Sequence, residues 1–486
     1  MKPYSITLYL FAVISLLALT SVIMPDDGIT IGGLTLKFPS LENVLMGDSV
    51  QNHEDELVTI EENETPEQLV ERRLQEIKQA KHDEFIDFFR NNPARIDFPN
   101  DDVTLFDPLF EALEKASERS VRIVHYGDSQ IEEDRITNIL RQGLQDRFSG
   151  YGVGLLPVIQ TVQTSTMKQS CSADLTRYLV YGAGNKNNTC GYGPMGMQTI
   201  VNCPVTCTFT SRQNSKTPLA RHFSEVKVLV TDVKGSFTAK VGDETQTVED
   251  TASVQKMRTL TFKLPAKQSS VTLQMNGRAA VLGIMLDGKK GVKVDNVPMR
   301  GCAGTVFTSI RKDYLADYYD DNNVSLIILQ YGGNAMPYLK GDKNIENFGK
   351  RTEAQIRYLK RMAPHAQILF IGPSDMTTKV DGVMRTYPQL PAVVDALCNA
   401  AHNSGAAYWD LYGVMGGFNS MQAWAKTGLA GTDYVHFTHK GADKVGDMLF
   451  TAITLYYDYY RFRKYPEQFV PDTIDIAGVD SAQIGD

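Results

Sequence analysis

Three short segments of this 486-residue chain carry residue types suited to acyl chemistry. Tyr126-Gly127-Asp128-Ser129 sets a hydroxyl just after a tight turn. Gly332-Gly333-Asn334 sets a carboxamide donor beside glycines that let a substrate approach the backbone. Asp433-Tyr434-Val435-His436 spaces a carboxylate and an imidazole three residues apart. At that spacing both can face one nucleophile, the carboxylate fixing the imidazole tautomer and the imidazole taking a serine proton. Each segment alone has a plainer reading. Gly-Asp-Ser before a helix is an N-cap, and Gly-Gly-Asn after a strand is an ordinary turn. Their weight comes from occurring together, in this order, at the ends of apolar runs.

Those runs define the elements that must position the chemistry. Residues 121–125 form a short β-rich run leading into Ser129, and residues 131–148 have the pattern of an amphipathic helix with Ile136, Ile139, Leu140 and Leu144 on one side. This predicts Ser129 at a helix start, where free N–H groups and the positive end of the dipole favour an oxyanion. Residues 324–334 and 366–375 are apolar runs containing glycine near their ends, each flanked by helical stretches. Strands alternating with helices predict a parallel sheet covered on both faces, with the site beyond the carboxyl ends of its strands. Residues 161–287 differ in kind, being rich in Gly, Thr, Ser and Val with near-alternating apolar segments, and predict an inserted β-sandwich. Ahead of the domain, 25–100 is a polar linker followed by a charged helix at 65–92, opened by the capping box of Thr65 and Gln68 and read as a solvated spacer. The acidic tail, 466–486, has no core pattern.

In this order the segments resemble the GDSL/SGNH hydrolase family, whose blocks carry Gly-Asp-Ser, a glycine, Gly-x-Asn and Asp-x-x-His. The resemblance covers about 121–157 and 286–455. It implies an α/β fold, a flavodoxin-like three-layer SGNH domain with a parallel sheet built from 101–160 and 288–465, interrupted by the β-sandwich. It implies Ser129 as nucleophile, His436 as general base and then acid, and Asp433 as its orienting carboxylate. The oxyanion hole would combine the N–H of Ser129, the N–H of Gly301 and the Asn334 side chain. Gly301 is chosen because a strand within 291–304 leads into Arg300-Gly301; Gly304 is the other candidate. The family's usual Asp after Gly-x-Asn is Ala335 here, a change that bears on loop support. Asp128 is assigned to loop hydrogen bonding, and His125, His439 and Asp410 to structural roles. No cofactor or metal is implied.

Composition narrows the setting. The chain is 42% hydrophobic, carries a net charge of −8 and has no Lys/Arg run, so the footprint of a nucleic-acid binder is missing. Residues 6–24 are apolar and uncharged, follow Lys2, and are long enough to cross a bilayer. With no A-x-A site and no lipid-accepting Cys after them, 1–24 is expected to be an uncleaved membrane anchor, a cleaved signal peptide being the alternative. Everything that follows would lie on the exported, periplasmic side of the cell envelope. Export admits disulfides, and Cys171, Cys190, Cys203 and Cys207 are close enough in sequence to form two, in any of three pairings. A zinc site at Cys203 and Cys207 lacks a matching His pair. Cys302 and Cys398 fall in core-like segments.

The placement of the insert resembles that in bacterial peptidoglycan O-acetylesterases, whose SGNH domain carries a carbohydrate-binding-like sandwich. That implies ester hydrolysis on an acetylated polysaccharide or peptidoglycan. Two alternatives use the same fold: an O-acetyltransferase working beside a membrane acyltransferase partner, and a non-catalytic carbohydrate-binding envelope protein. The insert is expected to select the polymer without taking part in acyl transfer.

Overall fold

A computed structural model describes residues 29–31, 34–36, 65–184, 186, 191–250 and 256–469. The chain divides into two compact units, one of residues 1–79 and 471–486, the other of Ala80–Val470. In the first unit an antiparallel hairpin joins Ile29–Ile31 to Leu34–Leu36. The expected anchor at 6–24 lies outside the described residues, and no helix among the described residues is long and apolar enough to cross a membrane.

Helix α1 (Pro66–Asn91) begins where the capping box placed it. Thr65 N–H donates to Gln68 Oε1 at 2.8 Å and Gln68 N–H to Thr65 Oγ1 at 3.3 Å, each satisfying a donor that the helix start leaves free. It is not a solvated spacer throughout. Phe85 and Phe89 are buried, and Phe89 stacks on Tyr456 at 4.2 Å between ring centres.

In the second unit, strands β1 (Ile96–Asp97), β2 (Ser120–Gly127), β3 (Gly291–Pro298), β4 (Val324–Gln330), β5 (Gln367–Ile371) and β6 (Ala407–Trp409) form one sheet in the order β3-β2-β4-β5-β6-β1. All neighbours are parallel except β1, which is antiparallel to β6. Side chains alternate between two cores. Val124, Ile327, Leu329, Ile368 and Phe370 pack under α4 (Lys312–Asp321), α5 (Asp342–Met362) and α6 (Leu390–Asn403). Ile123, Leu326, Ile328, Leu369 and Ile371 pack under α2 (Asp107–Glu114), α3 (Thr137–Phe148) and α7 (His439–Lys464). Both faces are covered, which is why β4 and β5 are apolar along most of their length. Strand order reverses on either side of β2, so the chain leaving Gly127 enters the crevice where open α/β sheets bind ligands.

Residues 152–287 form the β-rich module. Its nine antiparallel strands are hydrogen-bonded as one continuous sheet, where two separate layers were expected. The two longest strands, Phe223–Val241 and Ser270–Asp287, pair with each other through several bulges and exchange outer partners along their length. Bulges bend a strand and let one strand serve both sides of a core. That core includes Val153, Val226, Phe237, Phe262 and Leu273. The sheet starts at Gly152, ahead of the boundary expected at 161, because Gly154–Leu156 pairs with Ile284–Leu286.

Module and parallel sheet share side chains. Leu229, Leu282 and Met285 of the module belong to the same apolar cluster as Val124 and Leu329. Beside them Arg122 of β2, 1% exposed, pairs with Asp287 at the end of the module and with Asp295 of β3. Tyr318 of α4 and the Leu155 N–H also donate to Asp295. Burial alone would weaken the Arg122 charge, but Asp287 and Asp295 keep it firmly protonated. Against its own burial, Asp287 is held below its ordinary value by Arg122.

Candidate active site

Ser129, His436 and Asp433 meet at the carboxyl end of β2. Ser129 Oγ lies 2.9 Å from His436 Nε2, and His436 Nδ1 lies 2.7 Å from Asp433 Oδ2. The other oxygen, Asp433 Oδ1, accepts the N–H groups of Val435 and His436 at 3.0 and 3.1 Å. A three-residue spacing thus closes into a turn that aims the imidazole at the serine, helped by a positive φ of 55° at Tyr434. Burial would raise the Asp433 carboxyl, but the His436 hydrogen bond and these two N–H donors hold it below its ordinary value. An ionised carboxylate on Nδ1 leaves Nε2 free to accept the serine proton.

Ser129 does not start an α-helix, contrary to the sequence pattern. Residues Ser129–Asp134 form an irregular 3₁₀ stretch, Glu133, Asp134 and Ile136 all have positive φ, and α3 begins only at Thr137. The cause is Asp134. Its buried carboxylate accepts from Arg141 Nη1 and Nη2, at 2.8 and 3.0 Å, and from the Thr166 hydroxyl of the module at 2.7 Å, drawing the would-be first turn out of line. A helix dipole therefore gives Ser129 no direct support, and the oxyanion must rely on individual donors.

Gly301, with φ 75°, lines the cleft with Ser129 and has open space where a Cβ would point. At Gly304 a Cβ would collide with Tyr331 at 2.7 Å. Of the two glycines, Gly301 is the one facing the cleft. Asn334 also lines it, but in this state its amide donates to Asp128 Oδ2 at 2.9 Å and to the Cys302 carbonyl at 3.2 Å. Asp128 has the supporting role expected of it, since its other oxygen accepts the Gln130 N–H at 2.9 Å. Burial pushes the Asp128 carboxyl up to about 6, with the Gln130 N–H, His436, Asn334 and Arg135 opposing the rise. Ala335 is buried in the core beneath this loop.

Two residues that the sequence did not single out tie the nucleophile loop to the histidine loop. Gln130 Nε2 donates to the Val435 carbonyl at 2.7 Å, and its Oε1 accepts the Phe437 N–H at 3.3 Å. Arg135 donates to the Phe437 carbonyl at 2.9 Å and to the Ser129 carbonyl at 2.7 Å. Together they fix the distance between Ser129 and His436. The only sequence signal was their nearness to Ser129.

The cleft has a volume of about 630 Å³. Tyr338, 79% exposed, stands at its rim. A second cavity of about 340 Å³ lies toward the module, lined by Leu155, Gln169, Arg177 and Met197 among others. Glu132, Glu133 and Arg300 line both spaces, and Arg300 Nε donates to the Glu132 carboxylate at 2.8 and 3.0 Å between them.

The remaining candidates have structural surroundings. His125 is fully buried between Gln330 (3.1 Å) and Thr137 (2.9 Å), and burial lowers its pKa to about 3. His439 is exposed at the start of α7, 3.5 Å from Glu133. Asp410 lies at the end of β6, away from the cleft. Cys171 and Cys207 face each other on paired strands and form a disulfide. Cys190 lies outside the described residues, and Cys203, Cys302 and Cys398 have no disulfide partner among them. The grouping of His, Cys and carboxylate side chains with metal-binding spacing among the described residues is not in the cleft but at Asp97, Cys398 and His402.

No family model matches the chain, and no curated protein matches it by sequence. Solved structures do. A peptidoglycan O-acetylesterase superposes with a TM-score of 0.61 at 20% identity, over 74% of this chain and 96% of its own. A family two carbohydrate esterase from Cellvibrio japonicus aligns over 60% of this chain and 98% of its own, at 9% identity and a TM-score of 0.24. The first likeness establishes the fold. The chain shares the fold of that protein, and the parallel sheet interrupted by a β-rich insertion is the arrangement that the order of its sequence blocks implied.

Proposed function

We propose that this protein is a serine esterase that removes O-acetyl groups from a cell-wall or surface polysaccharide through an acetyl-enzyme on Ser129. The observation that carries the reading is the unbroken relay from Ser129 Oγ to His436 Nε2 and from His436 Nδ1 to Asp433, at 2.9 and 2.7 Å, opening on a cleft. Ser129 Oγ attacks the acetyl carbonyl carbon as His436 takes its proton. The oxyanion is received by the N–H groups of Ser129 and Gly301 and by Asn334 once its amide turns from the Cys302 carbonyl. His436 then protonates the departing sugar oxygen. Water, deprotonated by His436, releases acetate and restores the serine.

The choice of a glycan ester is supported by the superposed peptidoglycan O-acetylesterase and by Tyr338, whose exposed ring offers an apolar face for stacking on a sugar. Water as the acceptor, in preference to a sugar, is supported by the openness of the triad. The side chains of His436 and Asp433 are 38% and 52% exposed, and transfer to another alcohol would call for exclusion of water. The charge-free apolar run at 6–24 supports an envelope location on the exported side of the membrane.

The test is hydrolysis of acetylated peptidoglycan and of a chromogenic acetate ester, with and without acceptor sugar, by wild type and Ser129→Ala. Acetate release should fall by about 10⁴-fold or more in the variant with the fold unchanged. Near wild-type turnover in S129A would remove Ser129 from the mechanism. Acetyl sugar formed in place of acetate would convert the reading to transfer.

A further inference from the structure

We propose that Asp97, Cys398 and His402 form a binding site for a transition-metal ion of zinc's class, which pins β1 to α6. The site is independent of the esterase reading, and none of its residues lines the cleft. Cys398 and His402 are four residues apart on α6 and so share one face, and Asp97 comes from the short edge strand that this face covers. Cys398 Sγ lies 3.6 Å from Asp97 Oδ2 and 4.0 Å from His402 Nε2, and the three donor atoms all lie within 4.8 Å of one another. A tetrahedral ion with zinc-like bonds of ~2.3 Å to sulfur and ~2.0–2.2 Å to nitrogen or oxygen spaces its donors roughly 3.3–3.6 Å apart. The three side chains are therefore already near coordinating distance.

Among the described residues no Lys or Arg forms an ion pair with Asp97, Asp395 or Asp410, although all three carboxylates act electrostatically on Cys398. Two polar groups beside the cluster have no hydrogen-bond partner: Asp410 Oδ1 and the hydroxyl of Tyr408, a residue 1% exposed and in register with Asp97. Asp410, Cys398, Asp395 and Asp97 also act electrostatically on that hydroxyl. An ion held by Asp97, Cys398 and His402 would offset the charge of these carboxylates. A sulfur, a nitrogen and an oxygen donor suit zinc or a neighbouring transition metal, not calcium or magnesium, which prefer oxygen alone.

Binding is balanced in protons. Cys398 loses its thiol proton to solvent as Sγ coordinates, and His402, whose Nε2 donates to the Asp97 main-chain carbonyl at 3.3 Å without the ion, gives up that bond and coordinates through Nε2 once its proton has moved through solvent to Nδ1. The result is a clip between the strand that ends the sheet and the helix above it.

Cobalt(II) titration of the full chain under reducing conditions tests this. One equivalent should produce a thiolate-to-cobalt charge-transfer band that zinc displaces. Cys398→Ser should abolish the band, His402→Gln should weaken affinity by about 10–100-fold, and S129A should bind like wild type. At the same zinc concentration the melting temperature of the wild type should rise by more than that of H402Q, a readout that holds even if C398S folds poorly. Absence of the band while Cys398 is shown to be a free thiol overturns the proposal. So does a band of full strength in folded C398S, or equal zinc stabilisation of wild type and H402Q.

Discussion

Asn334 Nδ2 lies 2.9 Å from Asp128 Oδ2, so the amide assigned to the oxyanion is held by the carboxylate immediately before the nucleophile. One hydrogen of that amide is anchored by a charge-assisted bond, while the other rests on the Cys302 carbonyl at 3.2 Å, a longer contact that a substrate oxyanion can displace.

This arrangement predicts a split in the kinetics. Asn334→Ala should lower kcat by roughly 10²-fold with little change in KM, because the donor is engaged by the transition state more than by the bound ester. Steady-state kinetics on a small acetate ester measure this. A change confined to KM would make Asn334 a ground-state binding residue.

Asp128 makes stability pH-dependent with a predictable sign. Its folded pKa is raised from 3.8 to about 6, so the folded chain holds this proton more tightly than the unfolded one. The associated stability is fully present below pH 3.8 and is lost as pH rises through about 6, by up to ~3 kcal/mol. Asp128→Asn removes the titration, and its other effects on hydrogen bonding are independent of pH. Unfolding free energies of wild type and D128N between pH 4 and 7 should therefore diverge, with the wild type losing ground as pH rises. Parallel curves would mean that Asp128 titrates normally.

Arg122 controls the attachment of the module. Arg122→Met leaves Asp287 and Asp295 buried without their cation and should cost about 3–5 kcal/mol in a denaturation experiment. The shared core containing Leu229, Leu282 and Met285 further predicts that replacing 161–287 by a flexible linker unfolds the catalytic domain along with the module. A folded, small-ester-active deletion variant would restore the simpler picture of an excisable insert.

The parallel sheet was legible because strands buried on both faces leave continuous apolar runs, as in 324–330, and because the turns after them carry Gly and Asn. Ser129, Gly301 and Asn334 were legible because each follows a strand, and Asp433 and His436 because their three-residue spacing precedes a helix and completes an informative order. Gln130 and Arg135 were not, since their partners, Val435 and Phe437, lie some three hundred residues away and only folding brings them together. The late start of α3 was hidden differently: amphipathic spacing continued through Asp134, whose carboxylate is held by Arg141 seven residues on and by Thr166 of the module. Asp97 likewise lies far in sequence from Cys398 and His402, so no local spacing marks that cluster.

The way the parallel sheet ends has a bearing on self-association. A parallel sheet with an open border invites a second chain to add a strand, and proteins avoid this by shortening or covering their border strands. At one border here the last parallel strand, three residues long, is followed by a two-residue antiparallel segment. At the other, the N–H of Val292 is taken by the Ser149 carbonyl at 2.8 Å as the chain turns into the module. Among the described residues each border is thus shortened or partly covered, which lessens templating by neighbouring copies where chains are crowded together.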